Sequence, residues 1–344
     1  MVGEEFMNNK MKKILIAVIS VVFILSAAFL VFKISNKSIN VKGFTISGTK
    51  LLDANGNEFV IRGINQPHNW YKPKDEASIA GIAKTGANSV RIVLSNGTQY
   101  TKDSLAELEK LIALCEKNKL VAIVEVHDAT GKDDLNSLIK AAEYWIEMKS
   151  ALQGHEDTVI LNIANEWCAK WDSNLWANGY KKVIPMLRKA GIKNTLMVDC
   201  GGYGQYPKSV ADKGQEVLNA DSEKNVIFSI HLYEYAGANA NDVKSNISSI
   251  TNKGLAVCVG EFGYKHRDGE VDEEAIIKYC KENKIGYIPW SWSGNSDGVE
   301  YLDLVNNFNA SSYTEWGDLF FNTYKGMSDS KICTVFDNTK KKNK

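Results

Sequence analysis

Two glutamates of this chain stand where apolar runs give way to polar residues. Glu166 follows Asn165 at the end of the run TVILNIANE, and Glu261 stands near the end of the run LAVCVGEFG. A protonated carboxyl group and an ionised carboxylate can together hydrolyse a glycosidic bond, if their surroundings keep the two in different protonation states. A single glutamate at such a place more often forms a salt bridge to a neighbouring loop, so the fold must bring the pair together.

The elements that would position this pair are eight strand-like runs that alternate with helical patterns. The runs are rich in Val and Ile, and they span 59–65, 89–95, 121–128, 158–166, 194–202, 226–234, 255–263 and 287–295. Most are continuously apolar, as in strands covered on both faces. This alternation over about 250 residues predicts an α/β fold, a (β/α)₈ TIM barrel. The alternative, a doubly wound sheet, would have a Gly-rich turn after its first strand, and RGINQPHNW is no such turn.

Local signals mark the ends of several elements. A small N-terminal β-hairpin with the turn DANG is predicted within residues 43–59. Ser104 is the expected N-cap of a helix with an apolar face. Pro185 predicts a kink or a boundary in a later helix, and Gly191 predicts its stop.

In such a barrel, chemistry occurs at the C-terminal ends of the strands. Glu166 and Glu261 end the predicted fourth and seventh strands, so they would face each other across the barrel mouth. Other polar or aromatic residues at these ends are Asn65, His68, Trp70, Arg91, His127, Asp128, Asn165, His231, Tyr233, Trp290 and Trp292. Any one of them could be structural. Together they are hard to explain by barrel stability, because the packing layers lie deeper.

An ordered set of motifs resembles glycoside hydrolase family 5, and within it the bacterial endo-β-1,4-mannanases. The motifs include RGIN-x-x-H-x-WY, TGAN-x-VRIVLS, EVHDATG, EDTVI-x-NIANEW, FSIHLYEYAG, VGEFG and WSW-x-GN. The resemblance extends over residues 43–336. It implies a retaining endo-β-1,4-mannosidase in which Glu166 is the acid/base and Glu261 the nucleophile.

The same resemblance implies roles for the surrounding residues. Asn165 would hydrogen-bond the 2-hydroxyl of the sugar, Tyr233 would donate to Glu261, and His231 would orient Glu166. Arg91 would favour the ionised form of Glu261 by its opposite charge. Trp292, followed in the family by a cis non-proline peptide, would form the floor under the attacked sugar. The expected substrate-binding residues are Trp70, His68, Arg91, His127, Asn165, His231, Tyr233 and Trp292.

Other residues allow two interpretations. Trp167, Trp171 and Trp176 could line product-side subsites, although packing against the barrel is an equal alternative for Trp176. Trp145 is expected in the core. Residues 265–267 (Lys-His-Arg) are expected to form a solvated charge cluster, with sugar contact as the alternative.

Composition excludes some classes of partner and cofactor. The chain has 344 residues with 41 basic and 41 acidic side chains, which gives no reason to expect nucleic acid. Asp128, His127 and His231 lack metal-binding spacing, so we predict no metal and no organic cofactor. Cys115, Cys258 and Cys280 fit buried free thiols. A disulfide between Cys168 and Cys200 stays an open alternative.

The N-terminal segment differs from the rest. Three lysines precede residues 14–32, a run of 19 residues without charge, which is longer than the apolar stretch of about 7–15 residues in a cleaved signal. Residues 1–40 are therefore predicted to be an export signal, either cleaved near residues 26–28 or kept as a membrane anchor. One catalytic domain is expected over residues 41–337, followed by a disordered basic tail at 338–344. The protein would be a monomer, secreted or anchored to the outer face of the cell membrane.

Two rival functions differ from mannan hydrolysis. An endo-β-1,4-glucanase would use the same catalytic residues, because mannose and glucose differ only at the 2-hydroxyl. A non-catalytic carbohydrate-binding protein would lack one of the two carboxylates, and both are present.

Overall fold

A computed structural model describes residues 43–337 of the protein, except position 268. Eight parallel strands form one sheet, in which neighbours along the chain are also neighbours in space. Strands are numbered in chain order, and β1 and β2 form the N-terminal hairpin described below. The barrel strands are β3 Gly63–Gln66, β4 Ser89–Leu94, β5 Val121–Val126, β6 Val159–Asn162, β7 Leu196–Asp199, β8 Val226–Leu232, β9 Val257–Phe262 and β12 Gly286–Tyr287. A short antiparallel pair, β10 Lys265–His266 and β11 Gly269–Glu270, lies between the last two. All eight fall within or beside the predicted runs.

The two outer strands of this sheet meet and close it into a barrel. Arg62 and Tyr287 form a parallel bridge, and the Trp292 N–H donates to the Asn65 carbonyl at 2.8 Å. The buried Arg62 guanidinium also donates to both carboxylate oxygens of Asp329, at 2.8 and 2.6 Å, which ties this seam to the C-terminal segment. The predicted (β/α)₈ barrel is confirmed.

Helices surround the barrel. The α-helices are Asp75–Lys84, Leu105–Lys117, Leu135–Glu147, Lys149–Leu152, Ser173–Lys189, Lys208–Ala220, Ala240–Thr251, Glu273–Asn283 and Glu315–Asp318. Ser104 caps its helix as predicted, in a reciprocal capping box with Glu107. Of the kink or boundary predicted at Pro185, the boundary is wrong, since the helix runs through this residue to Lys189. It ends just before Gly191, whose φ of +88° suits a glycine after a helix.

Alternation along the strands divides the barrel interior into two layers. Ile123, Ile160, Met197 and Ile227 belong to an apolar floor that Phe44 and Phe59 complete from the N-terminal side. Because side chains two residues apart in a strand share a face, the next inward positions are Glu125, Asn162, Asp199 and Ser229. His231 follows two residues after Ser229, nearer the open end. A buried polar layer therefore lies between the floor and the open end of the barrel.

The N-terminal hairpin is present, but its turn differs from the prediction. Strands β1 Thr45–Ser47 and β2 Lys50–Leu52 pair antiparallel across residues 48 and 49. The DANG sequence forms a second turn, in which the Gly56 N–H donates to the Asp53 carbonyl at 2.8 Å and Leu52 then bridges to Glu58. Gly48, with φ +60°, supplies the conformation that the first turn needs.

All six cysteines are buried free thiols, as predicted for three of them. The alternative of a bond between Cys168 and Cys200 is not realised, because their thiols face the carbonyls of Lys170 and Gly204, at 3.4 and 2.9 Å. Within residues 43–337 no helix has the length and apolar character needed to cross a membrane. The predicted export segment and the predicted tail lie outside the described residues.

Candidate active site

A cleft of about 1110 Å³ lies over the C-terminal ends of the barrel strands. Glu166 and Glu261 both line it. One carboxylate oxygen from each glutamate and one ring nitrogen of His231 all lie within 4.8 Å of one another. The fold thus brings the two predicted carboxylates together at the barrel mouth.

Glu261 stands on β9, one residue before the strand ends, and cationic and hydroxyl donors hold its carboxylate. The Arg91 guanidinium donates to Oε1 at 2.8 Å, and the Tyr233 hydroxyl donates to Oε2 at 3.0 Å. Burial raises the pKa of Glu261, while the positive charges of His231 and Arg91 oppose that rise. The predicted influence of Arg91 is therefore present, but it does not lower the pKa of Glu261 overall.

Arg91 lies in the middle of β4 rather than at its end, and its long side chain reaches up through the barrel. The fully buried guanidinium donates to the side-chain oxygens of Asn162 at 2.9 Å, Asn65 at 2.9 Å and Asn165 at 2.6 Å, besides Glu261. The guanidinium thus fixes the Asn165 amide, whose Nδ2 also donates to Thr130 Oγ1 at 2.8 Å. Asn165 still lines the cleft, where its amide can meet a sugar hydroxyl.

Glu166 stands four residues beyond the end of β6, in a tight turn. Its φ is +46°, a left-handed conformation that is uncommon for residues other than glycine. Its N–H donates to Asp199 Oδ2 at 3.0 Å, and its Oε1 lies 2.7 Å from the His231 Nδ1. The carboxylate is thereby directed into the cleft beside Glu261.

His231, on β8, is completely buried between carboxylates. Burial lowers the pKa of His231, but Glu261, Asp199 and Glu166 outweigh this effect and raise it to about 9. The ring is therefore an imidazolium at neutral pH and donates from Nδ1 to Glu166. This geometry agrees with the predicted orienting role of His231. Neither His231 nor Arg91 lines the cleft, so both support the carboxylates and do not bind substrate as expected.

Aromatic side chains form one wall of the cleft. Trp70, 39% exposed, meets Tyr100 and His127 edge-on, with ring centroids 5.3 and 5.2 Å apart. His127 stacks on Trp290 at 5.8 Å, and its Nδ1 lies 2.9 Å from Glu125 Oε1. Burial lowers the pKa of His127, and Glu125 more than offsets this effect, so that the pKa is raised. Trp70 and His127 thus lie at the cleft, as predicted.

The prediction for Trp292 is wrong about which tryptophan faces the sugar. Trp292 is fully buried and packs against Gly81, where a Cβ would lie 2.8 Å from its indole. Trp290 lines the cleft instead, its Nε1 donates to Asn295 Oδ1 at 2.8 Å, and the cis peptide bond joins Trp290 to Ser291. Residues two apart in an extended segment share a face, so both tryptophans were equal candidates for the cleft. Only the exact end of the strand decides which of them lies there.

The prediction for His68 is also wrong. His68 is 2% exposed, does not line the cleft, and lies between two carboxylates, 2.8 Å from Asp75 and 3.1 Å from Asp103. It connects the loop after β3 to the first residue of the helix Asp75–Lys84 and to the loop after β4. Its role in the fold is therefore structural.

Some of the remaining aromatic and charged candidates line the cleft, and others lie in the core. Trp171 is 54% exposed and lines the cleft, whereas Trp167, Trp176 and Trp145 are buried in the core. His266 lines the cleft, stacks on Tyr233 at 4.5 Å and lies 2.7 Å from Glu234 Oε2. Part of the expected solvated cluster therefore supports the site.

The donors around Glu166 and Glu261 favour proton transfer over cation binding. A metal ion between them and His231 would lie beside the Arg91 guanidinium, which is 2.8 Å from Glu261. It would also replace the contact between His231 and Glu166. We therefore assign these side chains to acid–base chemistry and not to metal binding.

Sequence reasoning missed Asp199, the last residue of β7. It is fully buried and contacts Glu166 and His231, yet no residue of the fifth barrel strand is among the sequence candidates. The signal was available in the two-residue spacing from Met197, which places Asp199 on the inward face.

Comparisons with known proteins agree with this geometry. A family model described as Cellulase (glycosyl hydrolase family 5) matches residues 52–296. The chain is 52% identical to a mannan endo-1,4-beta-mannosidase of Salipaludibacillus agaradhaerens, covering 86% of this chain and 96% of that protein. It is 40% identical to a Beta-mannanase/endoglucanase A of Caldicellulosiruptor saccharolyticus, over 93% of this chain and 24% of that protein.

Among solved structures, a Thermomonospora fusca β-mannanase in complex with mannohexaose matches with a TM-score of 0.80 and 39% identity. The match covers 86% of this chain and 99% of that chain. Fold, sequence and family model agree, and this chain belongs to glycosyl hydrolase family 5.

Proposed function

We propose that this protein is an endo-acting, retaining glycoside hydrolase that cleaves β-1,4-mannosidic linkages in mannan, glucomannan or galactomannan. The observation that carries the proposal is the group of Glu166, His231 and Glu261 atoms within 4.8 Å of one another in the cleft. Retaining enzymes hold their two carboxyl groups about 5–5.5 Å apart, whereas inverting enzymes need about 6.5–9.5 Å to admit a water. The close pair supports retention.

In the first step, Glu261 attacks the anomeric carbon and forms a glycosyl ester while the glycosidic C–O bond breaks. Glu166 gives its proton to the departing oxygen, so the leaving chain departs as a neutral alcohol. Arg91 and Tyr233 hold Glu261 by hydrogen bonds that favour its ionised form. Asn165, fixed by Arg91, is placed to bind the 2-hydroxyl of the attacked sugar.

In the second step, Glu166 is ionised and takes a proton from water. The resulting oxygen nucleophile attacks the same anomeric carbon, the ester to Glu261 breaks, and the configuration of the sugar is retained. His231 donates to Glu166 through both steps, because its Nδ1 lies 2.7 Å from Glu166 Oε1.

The identity to mannan-cleaving relatives supports mannan as the preferred substrate. A second candidate, β-1,4-glucan, is favoured by the family model's description as a cellulase and by the relative that carries both names. The two sugars differ at the 2-hydroxyl, so the same catalytic pair serves either.

A substrate panel decides between these functions. The purified full-length chain is incubated with galactomannan, glucomannan and carboxymethylcellulose, and released reducing sugar is measured. We expect activity on both mannans and little on carboxymethylcellulose; the reverse order would favour the glucanase.

Glu261→Ala tests the mechanism on the same substrates. We expect a folded protein without measurable hydrolysis, beside an unaffected control, Glu216→Ala, on the surface of the helix Lys208–Ala220. Hydrolysis by Glu261→Ala at the wild-type rate would refute the nucleophile role. Tight mannan binding without hydrolysis by the wild-type chain would favour a binding protein.

We also propose that the protein is exported and either secreted or anchored outside the membrane. The support is the uncharged run 14–32 behind three lysines, together with a polymeric substrate that cannot enter a cell. Intact cells should hydrolyse added mannan as fast as lysed cells; activity confined to lysates would contradict export.

We further propose a monomer, because the cleft already holds both carboxylates and the donors that fix them, and this chemistry needs no residue from a second copy. Light scattering of the purified protein should give a mass near 38.2 kDa, or less if the N-terminal segment is cleaved. A dimer mass would contradict this.

A further inference from the structure

The carboxylate of Asp199 lies behind the proposed acid/base residue and does not line the cleft. Asp199 ends β7 and is completely buried. Its Oδ1 accepts a hydrogen bond from Asn162 Nδ2 at 3.1 Å. Asn162 in turn accepts from Arg91 at 2.9 Å, so the Arg91 guanidinium that holds Glu261 also helps to fix the position of Asp199.

The other oxygen of Asp199 reaches the backbone of Glu166. Oδ2 accepts the Glu166 N–H at 3.0 Å, at the residue with φ +46°. A left-handed conformation is unfavourable for a residue with a side chain, so neighbouring contacts must hold it. The Asp199 carboxylate is one such contact, and the Gly131 N–H donating to the Glu166 carbonyl at 3.2 Å is another.

Asp199 also faces the far side of His231. Oδ2 lies 3.6 Å from Nε2, the ring nitrogen that has no hydrogen-bond partner, while Nδ1 lies 2.7 Å from Glu166. The imidazole is thus placed between two carboxylates. Because an opposite charge on each side favours the imidazolium, Asp199 balances the charge that His231 presents to Glu166.

The charges of the whole buried layer agree with this balance. The Arg91 guanidinium and the His231 imidazolium lie among the carboxylates of Glu261, Asp199 and Glu125, and Glu125 raises the pKa of the neighbouring His127. Further titratable groups facing the trio of Asp199, His231 and Glu166 are Tyr233, Tyr180 and Cys200, and burial raises the pKa of each, which keeps them neutral. The Asp199 carboxylate lies 3.6 Å from both His231 and Arg91 and offsets part of their positive charge, so these cations favour an ionised Glu166 less than they would without Asp199.

We propose that Asp199 is a positioning residue for Glu166: it fixes the left-handed turn that presents Glu166, and its charge offsets His231 so that Glu166 can hold a proton before bond cleavage. This inference rests on the proposed acid/base role of Glu166. Asp199 touches no substrate and acts through the Glu166 backbone and the His231 ring.

The variant Asp199→Asn tests the proposal, because it removes the charge and nearly preserves the shape. It is compared with wild type by kcat/KM against pH on galactomannan and on a dinitrophenyl β-mannobioside. The dinitrophenolate leaves without being protonated, and kcat/KM reports the steps up to the first bond cleavage. Only the polysaccharide therefore needs the proton of Glu166 in the measured step.

We expect kcat/KM on galactomannan to fall at least about tenfold, a part of the roughly 10²- to 10⁴-fold that general acid catalysis supplies. The alkaline limb of its pH profile should move to lower pH, because a negative charge that favours the protonated acid is gone. On the dinitrophenyl substrate we expect a change of less than about threefold. Equal losses on both substrates with an unmoved limb would overturn the proposal, and so would wild-type behaviour.

Asp221→Asn is the matched control. Asp221 is also fully buried, accepts the backbone N–H groups of Glu223 and Asn225, both at 3.0 Å, and pairs with Arg188 at 2.7 Å. It lies before β8, at the end of the barrel away from the cleft. We expect this variant to be less stable but to keep the wild-type pH profile.

A measurement on the wild-type protein keeps the proposal testable if Asp199→Asn does not fold. The ring nitrogens of ¹⁵N-labelled histidine are observed by NMR, with the His231 signals assigned by their loss in His231→Gln. An imidazolium protonated on both nitrogens at neutral pH is expected, and a neutral ring would overturn the charge balance. Failure of the proposed function would appear separately, as a wild-type chain that hydrolyses no substrate of the panel.

Discussion

At the scale of single residues, the hydrogen bond from Tyr233 to Glu261 is the most direct test of how the nucleophile is held. Tyr233→Phe removes the donor that lies 3.0 Å from Oε2 and leaves the ring in place. A hydrogen bond to a charged group contributes about 1.5–3 kcal/mol, so we expect kcat/KM to fall about tenfold to a hundredfold. The acidic limb of the pH profile should move to higher pH, since a bond that favours ionised Glu261 is lost.

Tyr324→Phe is the control for this experiment. Its hydroxyl also donates to a glutamate, Glu273, at 2.8 Å, but away from the cleft. The pH profile of this variant should match wild type. An unmoved acidic limb in Tyr233→Phe would show that Arg91 alone holds Glu261.

Substitutions of the two tryptophans at the end of the barrel should have opposite effects on activity and stability. Trp290→Ala removes a cleft wall and should lower kcat/KM on mannan by more than about tenfold, with a small change in the free energy of unfolding. Trp292→Ala empties a core site and should lower the free energy of unfolding by about 3–5 kcal/mol, with kcat/KM near wild type where the protein is folded. Steady-state kinetics and urea unfolding of both variants measure this. Interchanged effects would restore Trp292 as the sugar-facing residue.

At the scale of elements, one carboxylate organises the loop that follows β12 and borders the cleft. Asp303 accepts the backbone N–H groups of Gly294 and Asn295, both at 2.9 Å, and the Asn295 Nδ2 at 2.6 Å. Asn295 in turn holds the Trp290 indole. The loop thus connects the half-buried Asp303 to the cleft wall.

Asp303→Ala should loosen this loop while leaving the catalytic pair in place. We expect KM for mannan to rise about fivefold to thirtyfold, the effect of about 1–2 kcal/mol, with kcat changed by less than about threefold. The control is Glu300→Ala in the same loop, an exposed side chain that does not line the cleft and accepts the Gly298 N–H at 3.3 Å. A fall in kcat with an unchanged KM would mean that the loop acts on the transition state instead.

At the scale of the whole molecule, the His68 cluster makes stability depend on pH. Burial lowers the pKa of His68, but hydrogen bonds to Asp103 and Asp75 outweigh it and raise the pKa to about 9. A histidine in the unfolded chain titrates near about 6.5. The stabilisation is therefore complete below that pH and is lost as the pH rises through about 9.

Urea unfolding of wild type and His68→Asn at pH 6 and pH 10 measures this contribution. A shift from 6.5 to about 9 corresponds to about 3 kcal/mol, so the destabilisation caused by His68→Asn should be smaller at pH 10 by about that amount. Tyr144→Phe, which removes an uncharged donor to the Asp103 carbonyl at 3.2 Å, is the control and should destabilise the protein equally at both pH values. Equal destabilisation at both pH values would mean that His68 is neutral in the folded protein.

The barrel and its catalytic pair could be predicted from the sequence because both depend on local patterns. Apolar runs separated by helical periodicity specify strands and helices, and the barrel then places every strand end at one rim. Glu166, Glu261, Asn165 and Tyr233 follow from that rule and from the motifs around them. The N-cap at Ser104 and the stop at Gly191 are local for the same reason.

Only the tertiary structure decided which neighbour of a strand end turns inward and what it touches. Trp290 and Trp292 are alike in type and spacing, and packing against Gly81 takes one of them into the core. His68 is structural because the fold places Asp103, 35 positions later in the chain, beside it. Asp199 belongs to the site because the fold places it against Glu166 and His231. Side-chain direction and long-range partners depend on how elements pack, and that information is not carried by any single stretch of the chain.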